Sequence, residues 1–320
     1  MVTPTRHRQE GELKPVIVTG APRSGTTWVG RMLALSPALY YIHEPFNPDH
    51  GVGKDICGAR FNRYFTYITE ENEKPYYVHI KRMLEGKHGL LYGLASAQSV
   101  SDVKNVLYRS RKFAKYRRQS AVPLIKDPIA IMSAEWIARQ FNVHMVVMIR
   151  HPAAFVASMK RLEWPFRPSR WAFPQKSLMK DYLYPFEAQL QELEKGNHDL
   201  IDQAILMWKV IHSVIFKYQQ KHKDWIFLRH EDISLNPVQH FRQLYARFGL
   251  DFTDSIEKRI RDHSQDSNPN QASGKHKTIR LNSKANILSW QQRLSKSELT
   301  RIKLGVEDIT NMFYSDNEWN

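Results

Sequence analysis

Cysteine is almost missing from the chain: Cys57 is the only one in 320 residues. This excludes an internal disulfide and any metal site built on a cysteine cluster, and it fits a reducing compartment. Long hydrophobic runs are also lacking. No stretch approaches the roughly 20 apolar residues of a membrane span, and residues 1–14 (MVTPTRHRQEGELK) are polar with no apolar run of signal-peptide length. The expectation is a cytoplasmic protein with a flexible tail over residues 1–14. Internal repeats, low-complexity tracts and Gly/Ser-rich linkers are absent too, so a single domain over residues 1–320 is expected. Negative charge is in short supply: 47 Lys+Arg against 32 Asp+Glu leave a formal +15 and an isoelectric point near 9.7. Such a balance favours an anionic partner, whether nucleic acid, a phosphorylated nucleotide or a membrane surface, and composition does not choose among them.

What is present fits a globular core, with 42% hydrophobic and 25% charged residues, which excludes a collagenous, coiled-coil or disordered chain. Short apolar runs stand at Val16–Val18, Leu39–Ile42, Val122–Ile125, Met145–Ile149 and Ile226–Leu228. Nearly continuous apolar runs of this kind suit strands covered on both faces. Helical patterns alternate with them: Thr26–Leu35, Ala134–Phe141, Pro152–Leu162 and Ile201–Tyr218, the last with Ile201, Ile205, Trp208, Ile211, Ile215 and Tyr218 on one face. The pattern predicts an α/β fold, a P-loop-like open parallel sheet of about five strands with helices on both faces. Ser295 and Glu298 form a capping-box sequence that opens a last helix carrying Leu299, Ile302, Val306, Ile309 and Phe313. Residues 47–76, 163–185 and 264–283 break the alternation, and loops of that length are often functional.

The first strand runs into Gly20-Ala-Pro-Arg23-Ser24-Gly25-Thr26-Thr27-Trp28. Gly20 and Gly25 have the spacing of a Walker A loop, whose backbone N–H groups and helix N-terminus cradle phosphate oxygens. A nucleoside-triphosphate enzyme needs Lys after the second glycine, yet Thr26 stands there and the cation, Arg23, lies upstream. The loop is therefore expected to hold an anion without being built for triphosphate cleavage. Downstream, Arg150-His-Pro152 ends the fourth strand and Ser158 follows in the next helix. An arginine at a strand end and a hydroxyl a turn or two along the helix grip one phosphate from two sides.

Pro22 to Trp28 resembles the 5′-phosphosulfate loop of sulfotransferases that use 3′-phosphoadenosine 5′-phosphosulfate (PAPS), and Arg150, Pro152 and Ser158 resemble their 3′-phosphate signature. Lys126-Asp127-Pro128 is similar to the Lys-Asp-Pro of tyrosylprotein sulfotransferases, Arg229-His-Glu231-Asp232 to a Tyr-Glu-Asp-Leu element, and Trp290 to Ser295 to a C-terminal Trp segment. The resemblance spans residues 15–314. It implies that Arg23 contacts the phosphosulfate, that Ser24, Gly25, Thr26 and Thr27 hold the 5′-phosphate, that Trp28 packs near the adenine, and that Arg150 and Ser158 take the 3′-phosphate. By position in the family's basic loop, Lys275 and Lys277 are candidates for the 3′-phosphate, with a solvated loop as the alternative. Glu231 and Asp232 read as structural groups tying the sheet edge to a helix.

The implied activity is sulfuryl transfer from PAPS to an acceptor hydroxyl, with no metal, Arg23 and Lys126 neutralising charge on the oxygen shared with the leaving phosphate. His43-Glu44-Pro45 follows the second strand, at the sheet edge where open α/β folds bind ligands. The residue before proline is held extended, so His43 and Glu44 are expected on opposite sides. Glu44 is preferred as general base because Glu-Pro here resembles carbohydrate and bacterial members; His43 and then Asp127 are the alternatives. The same likeness points to a carbohydrate or glycolipid acceptor. Seven of the fifteen residues from Lys104 to Arg118 are Lys or Arg, read as a solvated helix face or as a contact for an acidic acceptor or a peripheral membrane surface. Trp164, Phe166, Trp171 and Phe173, interleaved with Arg167 and Arg170, are either an acceptor lid or a loop docking its own aromatics. Two rivals remain, a P-loop nucleotide kinase and a non-enzymatic nucleic-acid or anionic-surface binder. The kinase lacks its Walker lysine, and the binder leaves residues 20–28 without a role, so no nucleic-acid partner is expected.

Overall fold

A computed structural model describes residues 13–49, 58–87, 90–95, 97, 99–196, 198–270 and 280–319. Cys57, most of the N-terminal tail, Lys275 and Lys277 lie outside the described residues. The apolar runs become β1 (Val16–Gly20), β2 (Leu39–His43), β3 (Val122–Lys126), β4 (His144–Ile149) and β5 (Ile226–Arg229). All pairs are parallel and the order is β2-β3-β1-β4-β5. Side chains alternate between faces along a strand. Val16 and Val18 of β1, Leu124 of β3 and Val146 and Met148 of β4 therefore join one apolar cluster with Val29, Leu33, Phe241 and Tyr245, while Ile17, Ile125, Val147 and Ile149 join the other. Both faces are covered, which is why these strands read as unbroken apolar runs.

The expected helices are found at Thr26–Leu33, Ala134–Gln140, Pro152–Leu162 and Leu200–Lys221, whereas residues 163–185, expected as a loop, carry short helical turns at Pro168–Trp171, Lys176–Leu178, Met179–Leu183 and Tyr184–Phe186. Pro152–Leu162 begins on a proline, whose missing N–H is no loss in the first turn, and ends where Glu163 turns left-handed at φ 50°. Leu200–Lys221 starts from Asp199, whose carboxylate accepts from the N–H groups of Ile201 and Asp202, both at 3.0 Å. The helix is buried along most of its length, with Trp208 at 0% exposure. The last helix, Lys296–Thr310, has the predicted capping box: Glu298 N donates to Ser295 Oγ and Ser295 N to Glu298 Oε2. Helix Val100–Arg118 buries only Val106 and Phe113. Phe113 and Tyr116 pack on Tyr40 of β2. Among the described residues, no helix is long and apolar enough to cross a membrane.

Chain order and sheet order together locate a ligand crevice. From β1 the chain passes to β2 and β3 on one side and then crosses to β4 on the other. The loops after β1 and β4 thus leave neighbouring strand ends in opposite directions, the switch point at which open α/β sheets bind ligands. Gly20 stands beside Met148 in this register. A Cβ on Gly20 would lie 2.2 Å from the Met148 carbonyl oxygen, so only glycine lets β1 and β4 run side by side into the turn.

Candidate active site

A cleft of about 380 Å³ opens at this switch point, within the roughly 300–1,000 Å³ range of ligand pockets. Pro22, Arg23, Gly25, Thr26, Thr27 and Trp28 line it from the β1 turn, Glu44 and Asn47 from the loop after β2, Lys126 from β3, and Arg150 and Ser158 from β4 and its helix. The two arginine motifs touch. Arg150 Nη1 donates to the Arg23 carbonyl oxygen, and Arg23 Nε donates to Ser158 Oγ at 3.1 Å.

The turn itself is shaped for an anion. Arg23 and Gly25 both have positive φ, 65° and 89°. Gly25 is the N-cap of helix Thr26–Leu33 and no side chain caps that helix, so its first N–H groups face the cleft without an internal acceptor. A Cβ on Gly25 would stand 2.5 Å from His230 Nδ1. Ser24 is placed differently from its neighbours. Its hydroxyl is buried and donates to the Ala21 carbonyl at 2.5 Å, bracing the turn from inside.

Arg150 is 8% exposed and is held from below, since Trp208 Nε1 donates to its carbonyl at 2.9 Å. Burial, opposed by Glu231 and aided by Arg23, pulls its guanidinium down to about 10, still charged at neutral pH. Its Nε has no hydrogen-bond partner among the described residues. A buried, unpaired guanidinium N–H on a cleft wall is the donor that a phosphate oxygen would satisfy. Glu231 works as structure: His151 N donates to Oε1 at 3.1 Å and Tyr314 hydroxyl to Oε2 at 2.8 Å. Asp232 pairs with Arg229 at 2.6 Å. Trp290 stacks on His151 with centroids 5.7 Å apart, which folds the C-terminal Trp segment over the residue after Arg150.

The candidate bases separate cleanly. Glu44 forms an ion pair with Lys126, whose side chain is 1% exposed against 19% for Glu44. Asn47 Nδ2 donates to the other Glu44 oxygen at 3.1 Å. Burial opposes ionisation here, but the charge and hydrogen bond of Lys126, with His43 and Asn47, outweigh it and bring the carboxyl down to about 2. Asp127 has no exposure, and its two oxygens accept from Phe46 N at 2.7 Å and Ile129 N at 2.9 Å. It joins the loops after β2 and β3 and is not placed to take a proton from a substrate. His43 Nδ1 lies 3.2 Å from the Tyr41 hydroxyl, and its Nε2 3.8 Å from Glu44 Oε1.

The expectation that His43 and Glu44 point to opposite sides is corrected. Glu44 is not extended but has φ 47°, which breaks the strand alternation and brings the two side chains together, with only Glu44 lining the cleft. The aromatic tract after Ser158 divides. Phe166 and Trp171 are 4% exposed and pack on each other at 5.2 Å, while Trp164 lines the cleft and meets Tyr64 edge-on at 6.2 Å. Tyr64, Arg161, His230, His263 and Arg293 also line the cleft and were not singled out from sequence. A usable signal existed for Arg161, which stands three residues after Ser158 on the same helix face.

Residues 15–254 match the Sulfotransferase family, three quarters of the chain, and the chain belongs to that family. Solved structures with a similar fold include the sulfotransferase domain of the Synechococcus PCC 7002 olefin synthase, at 16% identity and TM-score 0.48, covering 98% of this chain and 99% of that one. The sulfotransferase domain of the curacin biosynthetic pathway is 17% identical with TM-score 0.46, covering 93% and 99%. Mouse sulfotransferase SULT7A1 complexed with PAP is 11% identical with TM-score 0.46, covering 96% and 86%. No curated protein matches the chain. Among the described residues, no group of three or more His, Cys, Asp or Glu is placed to hold a metal ion.

Proposed function

We propose that the chain, folded as one domain over residues 1–320, moves a sulfuryl group from PAPS to an acceptor hydroxyl, with a carbohydrate or glycolipid as the acceptor class and the cytoplasm as its location. The observation that carries this reading is the contact between the two motifs: Arg150 bonded to the Arg23 carbonyl and Arg23 bonded to Ser158. Two phosphate grips that close together suit one ligand with an anion at each end. PAPS would supply the sulfuryl group and the leaving phosphate. Arg150, with its unpaired Nε, and Ser158 would hold the 3′-phosphate. The N–H groups after Gly25 and the hydroxyls of Thr26 and Thr27 would hold the 5′-phosphate, with Ser24 bracing their turn, and Trp28 would bound the base.

For the transfer, Arg23 and Lys126 lie where negative charge grows on the bridging oxygen, and preplaced cations of this kind lower a barrier most when they meet charge that develops late. Glu44 is ionised at neutral pH and open to the cleft, so it orients the hydroxyl through a hydrogen bond and takes its proton late, as the new O–S bond makes that oxygen acidic. His43 supports Glu44 from outside the cleft wall. Lys275 and Lys277, outside the described residues, would add further contacts to the 3′-phosphate.

The test is calorimetric titration with PAP in the absence of metal, beside transfer of labelled sulfate from PAPS to an acceptor panel. Tight PAP binding that AMP does not match is expected. Equal affinity for AMP sinks the 3′-phosphate assignment, and ATP hydrolysis with Mg²⁺ in place of sulfuryl transfer favours a kinase.

A further inference from the structure

Two arginines of the cleft remain once the donor anchors and the Glu44–Lys126 pair are placed. Arg161 stands a turn beyond Ser158 near the end of helix Pro152–Leu162, and Arg293 follows the buried Trp290. Both line the cavity. Among the described residues neither side chain has a hydrogen bond or an ion pair, whereas Lys126 is held by Glu44, Arg150 by the Arg23 carbonyl and Arg23 by Ser158. Glu44 is the one carboxylate among the described lining residues, and Lys126 already neutralises it.

Arg23, Arg161 and Arg293 line the cleft that Glu44 also lines. Burial in the cleft lowers the Arg23 guanidinium, and the next causes are Arg161, which lowers it further, Glu44, which raises it, and Arg293. Arg293 is in turn lowered by burial and then by Arg161. Three guanidinium groups therefore share one cleft with a single carboxylate among its described lining residues, and like charges on one wall repel each other. Trp164, three residues after Arg161, and Tyr64 stand edge-on at 67° on the wall of the same cleft. An aromatic wall beside paired cations suits a ring that bears a negative group.

We infer that Arg161 and Arg293 form an anion subsite next to Glu44, so that the acceptor carries, besides its reacting hydroxyl, an oxyanion: a carboxylate, a sulfate ester or a phosphate ester. The inference rests on the donor reading given above. It assigns these arginines to the acceptor because the donor's two anionic ends already have Arg150 with Ser158 and Arg23 with the helix N-terminus. Bidentate contact by two guanidinium groups fixes the orientation of the ring, which brings the hydroxyl and not the charged group to the Glu44 carboxylate.

The test uses the full chain saturated with PAP, so that the donor site is filled, and inorganic sulfate as the probe. Calorimetry is expected to show one further sulfate bound to the PAP complex. Arg161→Gln and Arg293→Gln should each weaken that sulfate by about tenfold or more, the scale of a lost charge-assisted contact, while PAP affinity changes by less than about threefold. Arg161→Lys should restore part of the sulfate binding, since it keeps the charge. With transfer as readout, a p-nitrophenyl glucuronide should outcompete the matching glucoside, and the advantage should vanish in the Gln variants. Three results overturn the inference: no sulfate bound to the PAP complex, sulfate bound but indifferent to both substitutions, or PAP weakened as much as sulfate, which would return the arginines to the donor. Failure of the unsubstituted chain to bind PAP at all is a separate result and removes the donor reading itself.

Discussion

The two ends of the cleft are built differently. At the donor end the ligand-facing groups belong to two short, continuous segments, residues 22–28 and 150–158, and much of what holds them is buried: Ser24 at 0%, Thr26 at 4%, Arg150 at 8% and Ser158 at 3% exposure. At the acceptor end Glu44, Tyr64, Arg161, Trp164 and Arg293 arrive from four separate stretches of chain, and each keeps contact with solvent. The first end is fixed by strand register and backbone N–H groups. The second is fixed by long side chains whose positions depend on packing far from each of them. A backbone-shaped site tolerates little change of sequence and serves one ligand, whereas a side-chain-shaped site can be retuned one residue at a time.

The largest expected effect tests the acceptor end. A positioned general base typically contributes about 10²–10⁴-fold in rate. Glu44→Gln keeps the shape but not the basicity, and its single amide oxygen can accept from Asn47 or from Lys126 but not from both; transfer should fall by about that factor with PAP affinity nearly unchanged. His43→Gln should cost much less, because His43 faces Tyr41 and touches Glu44 only from the side. A crippled His43 variant beside an active Glu44 variant exchanges the roles. Parallel titrations with PAP keep a folding defect from being mistaken for lost chemistry.

Arg150→Ala tests the donor end and comes next in size. Losing a charge-assisted contact costs about 1.5–3 kcal/mol, and this loss should appear with PAP and hardly with AMP, which lacks the 3′-phosphate. Equal weakening of both ligands would show that Arg150 only braces the Arg23 carbonyl.

This difference between the ends is also the difference between what was legible in the sequence and what was not. The five strands, the helix Pro152–Leu162 and the last helix follow from local patterns, because an unbroken apolar run, a proline at a helix start and a capping box each act over a few residues. The loop from Gly20 to Trp28 was legible for the same reason. Glu44 was found as a residue but not in its conformation: the rule for residues before proline predicts extended backbone, and the tertiary ties of Glu44 N to the Lys126 carbonyl at 2.8 Å and of Glu44 Oε1 to the Lys126 ammonium hold it left-handed instead. Arg293 lies within the Trp290–Ser295 segment noted from the sequence, but nothing local assigns it to the cleft. Its place depends on Trp290 stacking on His151, a contact between residues far apart in the chain, which no short window of sequence reports.

A smaller effect probes how strictly the donor end is shaped by backbone. Gly25→Ala puts a Cβ at 2.5 Å from His230 Nδ1 on a residue with φ 89°. The left-handed conformation costs a non-glycine residue about 1–2 kcal/mol, and the turn must shift to relieve the contact. Both stability and PAP affinity should fall, seen as a lower Tm whose rise with PAP is also reduced. An alanine variant with normal PAP affinity would show that the turn is adjustable and would blur the contrast between the two ends.

The last prediction concerns pH at the acceptor end. Burial alone would raise the Glu44 carboxyl above its ordinary value, and the Lys126 charge with its hydrogen bond reverses this to about 2. A folded value below the unfolded one, about 4.3 for Glu, means that the pair's contribution to stability is present above that pH and is lost as pH falls through about 2. In the native enzyme the acid limb of the transfer rate should therefore not report Glu44 anywhere near neutrality. Lys126→Met removes the charge while keeping the stem. Burial is then unopposed by the lysine, the carboxyl titrates at higher pH, and the sign of the linkage moves with it: protonation of Glu44 now favours the folded state, so stability declines as pH rises through the new value. Measured side by side, the variant should show a lower rate with its acid limb displaced to higher pH, and a Tm that falls between pH 4 and 7 relative to wild type, about the range over which a buried carboxyl titrates. An acid limb that stays in place would mean that His43 and Asn47 suffice to keep Glu44 ionised, and that Lys126 serves the donor rather than the base.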